Sequence, residues 1–119
     1  MTPALPEVVT LCGSSRFRDS FEQEQRRLTL EGRIVISLGF FEHPQGLDVS
    51  SQVQVDLGEL HKRKIDLSQR IHVVNVGGYV GSSTRGEIEY AQRHGIAVTS
   101  MEPRPGRPSA QESWLHDNG

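Results

Sequence analysis

One cysteine, Cys12, is all the chain of 119 residues carries, so no disulfide can close within it. No apolar run reaches the roughly 18 residues that a membrane span needs. Aromatic residues are few, at 6 %, and none is interleaved with a basic stripe. The net charge of −2, on an ordinary charged fraction of 24 %, gives no electrostatic reason to capture nucleic acid. The opening stretch MTPALPEVV lacks the basic-then-apolar pattern of a secretory signal, so a soluble cytoplasmic protein is expected. Neither G-x-G-x-x-G nor G-x-x-x-x-G-K-[ST] occurs, which argues against NAD oxidoreductases and ATPases alike. No G-x-S-x-G elbow supports a serine triad. His43, His61, His72, His94 and His116 share no metal-ligand spacing, so no metal is expected. No cofactor of any other kind is expected either.

What is present is an alternation of β-branched runs and amphipathic stretches. Val8 to Cys12 reads as a first buried strand, ended by the turn cluster Gly13-Ser14-Ser15. Phe17, Phe21 and Leu28 then share one helical face, and Gly32 is placed to cap that helix. Ile34, Val35, Ile36 and Leu38 form a second strand whose weak alternation implies burial on both faces. Gly39 to Ser51 is a long loop with Phe40, Phe41, His43 and Pro44, either functional or tucked against the core. Val53, Leu57, Leu60, Lys64 and Leu67 fit one face of a second helix, with Lys64 the odd member.

Ile71, Val73, Val74 and Val76 make a third strand, followed by the glycine loop Gly77-Gly78-Tyr79-Val80-Gly81 and a third helix ending at Gly95. Ile96 to Thr99 is a short fourth strand, suited to an edge. Connections this long between strands imply a parallel sheet with right-handed crossovers. The expected fold is therefore an α/β, doubly wound three-layer sandwich of Rossmann or flavodoxin type, with four to five strands. It spans residues 1–102, and a proline-rich tail occupies 103–119, docked through Trp114 or mobile. In such sheets ligands sit at the carboxyl ends of the strands. The loops after the first and third strands would then face each other across one cleft.

Glu87 is the candidate for the chemistry, and it has two readings. Thr84-Arg85-Gly86-Glu87 fits the capping box, in which Thr84 and Glu87 serve only the helix end. Alternatively the helix N-terminus keeps the carboxylate ionised, by up to roughly 1 kcal/mol, ready to attack an anomeric carbon. Glu89 points to another face. Gly13-Ser14-Ser15-Arg16 and the hydroxyls of Ser82, Ser83 and Thr84 suit a phosphate or a sugar, or equally a helix N-cap. Cys12, in a strand, suits packing better than nucleophilic attack.

Leu11-Cys12-Gly13-Ser14-Ser15-Arg16-Phe17, together with Gly86-Glu87-Ile88-Glu89-Tyr90-Ala91 and Gly95-Ile96-Ala97-Val98, resembles the nucleoside 2-deoxyribosyltransferase superfamily. The Cys-Gly-Ser-x-Arg loop is most similar to the branch that hydrolyses nucleoside 5′-monophosphates. The likeness covers most of residues 8–99, though only the first loop and the last helix are specific. It implies cleavage of an N-glycosidic bond through a covalent glycosyl-glutamate at Glu87, resolved by water or by a second base. It implies further that Gly13, Ser14, Ser15, Arg16 and Phe17 line base and sugar, while Ser82, Ser83 and Thr84 hold the 5′-phosphate.

Tyr79, Asp66 and His43 are the candidates to position the sugar or protonate the departing base. Gly81 and Asn75 complete the expected binding set. Members form homodimers or larger homo-oligomers in which a neighbour completes the pocket. The sequence departs from the family pattern before the third strand, where the family's helix carries an acidic sugar-binding residue and this chain reads His61-Lys62-Arg63-Lys64-Ile65-Asp66, a basic run that hints at a more anionic ligand. Gly77 to Gly81 followed by Glu87 is more loosely similar to the P-G-G-x-G-T-x-x-E motif of cytokinin-activating phosphoribohydrolases. The rival from another class is a nucleotide-binding module without catalysis.

Overall fold

The computed structural model describes residues 5–39 and 51–103. Loop residues Phe40, Phe41, His43 and Pro44, and the tail with Trp114, lie outside the described residues. Four strands, β1 (Val8–Gly13), β2 (Ile34–Ile36), β3 (Arg70–Val74) and β4 (Ala97–Ser100), form one sheet in the order β2-β1-β3-β4. All neighbours pair in parallel. Helices α1 (Arg18–Leu30), α2 (Ser51–Asp66) and α3 (Ser82–Arg93) make the connections.

Alternation along the central strands assigns the layers. Val9, Leu11 and Val74 meet Phe21 and Leu28 of α1 in one core. Cys12, Ile71, Val73 and Val98 meet Ile65 of α2 and Ile88 and Ala91 of α3 in the other. This is the expected three-layer, flavodoxin-like arrangement, with four strands among the described residues. No described helix is long and apolar enough to cross a membrane.

Two helix ends are set by glycine. At Gly32 (φ 90°) the amide bonds the Thr29 carbonyl and that of Arg33 bonds Leu28, which closes α1. At Gly95 (φ 70°) the same pair of bonds runs from Gly95 to Gln92 and from Ile96 to Ala91, closing α3.

Two expectations about burial fail. β2 is an edge strand with Ile34 exposed, because only β1 pairs with it and α1 covers one side. The predicted α2 face is also not the buried one. Val53, Leu57, Leu60 and Leu67 are exposed, whereas His61 and Ile65 face the sheet. At 100° per residue the apolar stripe is turned from the buried face by about a quarter of a turn. Thr10 explains the rotation, since its hydroxyl meets Ser68 and the Lys64 carbonyl and docks the helix by a polar contact.

Candidate functional site

β1 ends at a glycine that nothing else could replace. Gly13 has φ 152°, and a Cβ there would lie 2.8 Å from the Val74 carbonyl oxygen and 3.2 Å from the Phe21 ring. The chain then turns into a short 3-10 segment, Ser15–Phe17, capped by the Ser14 hydroxyl, which accepts from the Arg16 amide at 3.3 Å. After β3, Val76–Gly78 forms a second tight turn with Gly77 at φ 64°, leading through Tyr79 to Gly81. A side chain on Gly81 would come within 3.1 Å of the Tyr79 hydroxyl, so the missing Cβ lets that ring lie close.

Between these turns and α2 opens a cavity of about 630 Å³. Gly13, Ser14 and Ser15 form one wall, and Tyr79 and Gly81 to Thr84 another. Leu38, Leu57 and Leu60 supply an apolar side, with Lys64 beside them. This volume is that of an ordinary small-molecule site.

Gly81 is the N-cap of α3 and offers no side chain to the first turn, which carries no acidic residue. Ser82, Ser83 and Thr84, the first turn of α3, line the cavity, and no capping side chain or acidic residue offsets the helix dipole there. The capping box fails: Thr84 lies inside α3, not at its N-cap, and Glu87 falls in the second turn.

Glu87 stands at the floor of the cavity, its side chain 18 % exposed. Its Oε1 is 3.9 Å from His61 Nε2, which in turn is 3.4 Å from Cys12 Sγ. Burial pushes the Glu87 carboxyl up to about 7, against weaker opposing pulls from the Cys12 thiol and the Lys62 charge. The expectation of a dipole-ionised carboxylate is thus corrected: Glu87 lies past the first turn, where the dipole acts, and burial raises its pKa. Burial also takes His61 down to about 4, reinforced by Lys64 and opposed by a hydrogen bond with the Leu11 backbone. Burial first, then the charge and hydrogen bond of Glu87, raise the Cys12 thiol well above its ordinary range. Near neutrality the site therefore holds a thiol, a neutral imidazole and a carboxyl close to its midpoint.

The structure brings together Gly13, Ser14, Ser15, Tyr79, Gly81, Ser82, Ser83, Thr84 and Glu87. It leaves others outside the lining. Arg16 stacks on the Tyr79 ring at 4.6 Å and Phe17 meets it edge-on at 5.9 Å, so both brace Tyr79 from behind. Asp66 is held away by Arg63 (3.1 Å) and the Tyr90 hydroxyl. Asn75 is fully buried and pins the end of β4, donating to the Glu102 carbonyl and accepting from the Glu102 amide, each at 2.8 Å. His43 lies outside the described residues.

Sequence reasoning missed His61, Gln54, Leu57, Leu60 and Lys64 as site residues. The signal for Lys64 was its place in an otherwise apolar stripe, since a lysine there marks a face that meets something polar. Cys12, read as packing, is buried but also touches the imidazole. The donor atoms of Cys12, His61 and Glu87 all lie within 4.8 Å of one another. No family model, curated protein or solved structure matches the chain.

Proposed function

We propose that the protein cleaves the N-glycosidic bond of a nucleoside 5′-monophosphate, by hydrolysis or by transfer to a second base. The observation that carries this reading is the desolvated Glu87 carboxyl at the floor of a nucleotide-sized cavity, below a helix N-terminus lined by Ser82, Ser83 and Thr84. The 5′-phosphate sits on those amides and hydroxyls, with Lys64 adding charge at the rim. Leu38, Leu57 and Leu60 meet the flat face of the base, and Tyr79 borders the sugar.

Glu87 attacks C1′ through a carboxylate oxygen while the C1′–N bond breaks and its electron pair leaves with the base, which takes up a proton from solvent. Water or a second base then attacks C1′ and gives up a proton to solvent, and the ester electron pair returns to Glu87. A carboxyl poised near 7 is easily ionised yet poorly solvated, which suits a nucleophile. Base release should therefore rise with pH through about 7. Cys12, His61 and Lys62 are the titratable groups that act on or touch Glu87, and Lys64 acts on His61. None of the histidine charge enters that window, since His61 stays neutral above about 4.

The test is chromatographic detection of free base after incubation with nucleoside 5′-monophosphates and the matching nucleosides. Wild type should release base, faster from the phosphorylated form, and Glu87→Gln should lose at least about a thousandfold while still binding nucleotide. Equal rates for the two proteins would end the Glu87 reading. Binding without turnover by wild type would leave a nucleotide-binding module in its place. The same reading includes a homodimer, supported by the exposed stripe Val53, Leu57, Leu60 and Leu67, two of whose members reach the cavity rim. Sedimentation of wild type as a monomer at micromolar concentration would remove that part alone.

A further inference from the structure

Cys12 is the penultimate residue of β1, His61 lies on the sheet-facing side of α2, and Glu87 projects from the second turn of α3. Three separate elements thus deliver a sulfur, an imidazole nitrogen and a carboxylate oxygen to one point. Cys12 Sγ and His61 Nε2 are 3.4 Å apart, His61 Nε2 and Glu87 Oε1 are 3.9 Å apart, and all three donors fall within 4.8 Å. Bond lengths of about 2.3 Å to sulfur and about 2.0 Å to nitrogen and oxygen place the donors of a tetrahedral zinc roughly 3.3–3.6 Å apart. The sulfur–nitrogen edge already has that length. The carboxylate, on the longest and least buried of the three side chains, needs to move by on the order of 1 Å to complete the set.

We propose that Cys12, His61 and Glu87 form a binding site for a divalent cation of the zinc class. The donor set selects for it: thiolate and imidazole favour zinc over magnesium or calcium, which take oxygen ligands. His61 and Glu87 line the cavity, so an ion has a way in and its fourth position faces the space where substrate would lie. Binding releases to solvent the thiol proton of Cys12 and whatever proton Glu87 still holds, since both bind the cation deprotonated. The ligands are separated by long stretches of chain, which is why no spacing motif announces them. One consequence rests on the glycosidase reading: a cation held by Glu87 takes the nucleophile out of use, so zinc inhibits.

Cobalt(II) titration of the full chain tests the site, because Cys12 is the only cysteine and any thiolate-to-cobalt charge-transfer band must come from it. Wild type should bind one cobalt per chain, show that band with the d–d bands of a tetrahedral ion, and release cobalt to added zinc. Cys12→Ser should lose the band, and His61→Gln should weaken binding at least tenfold. X-ray absorption of zinc-loaded wild type needs no variant to fold, and should find one sulfur scatterer at about 2.3 Å beside nitrogen and oxygen at about 2.0 Å. Nitrogen and oxygen scatterers alone, no charge-transfer band in wild type, or unchanged affinity in folded His61→Gln would overturn the site. Where the site is confirmed, saturating zinc should lower base release at least tenfold and a chelator restore it. Base release unaffected by bound zinc would instead overturn Glu87 as nucleophile and leave the metal site standing.

Discussion

A capping residue and a functional carboxylate leave opposite marks on stability, and Glu87 distinguishes them. Its folded value of about 7 lies above the ordinary 4.5, so between those values the folded chain holds a proton that the unfolded chain has released. Stability therefore falls as pH rises from about 4.5 to about 7, and stays reduced above that. The gap is worth up to roughly 3 kcal/mol at pH 8. Glu87→Gln, which cannot ionise, should be more stable than wild type at pH 8 and close to it at pH 4.5, by denaturant unfolding at both. A loss of about 1 kcal/mol at both pH values would be the mark of a cap instead. The sequence made Glu87 stand out but misjudged its charge. Spacing locates a residue along a helix, whereas desolvation depends on what α2 and β1 lay over it.

At the scale of elements, the boundaries that local chemistry sets were readable and the faces that tertiary contacts set were not. Gly32 announced the end of α1, and Gly95 that of α3, because each must adopt positive φ whatever surrounds it. Neither position has an atom within 4 Å of an added Cβ, so alanine there meets strain but no clash. Gly32→Ala and Gly95→Ala should each cost about 1 kcal/mol and lower Tm by about 2–8 °C in thermal melts, with base release unchanged at 25 °C. By contrast, the apolar stripe of α2 gave no warning that Thr10 and Ser68 would dock the helix a quarter turn away from it. Ile34 to Ile36 read as buried for the related reason that β-branched composition does not say whether a strand has one neighbour or two. Asn75 belongs to the expected binding set. Its amide is spent on Glu102 instead.

Across the whole molecule, the alternation of strand and helix made legible both the fold and the end of the sheet where the cavity opens. What it could not supply was the third wall. The cleft between the loops after β1 and β3 followed from topology, but the cavity is closed by α2, whose Leu57, Leu60, His61 and Lys64 were assigned elsewhere. A ligand in that space touches the end of β1, the middle of α2 and the start of α3 together, and so bridges segments that the chain connects only through long crossovers. Nothing in the unfolded chain holds these groups near one another, so binding should stabilise the fold as a unit. At a hundredfold excess over Kd the gain is about 2.7 kcal/mol, enough to move Tm by several degrees. If Glu87 is the nucleophile as proposed, Glu87→Gln binds without consuming its ligand, and its thermal melts should show that rise with a nucleoside 5′-monophosphate and a smaller one with the nucleoside at equal concentration. Replacing Ser83 and Thr84 by alanine should shrink the difference between the two ligands while leaving the nucleoside shift in place. Equal shifts for both ligands in Glu87→Gln would mean that the N-terminus of α3 holds no phosphate, and would return the choice of substrate to the unphosphorylated nucleoside.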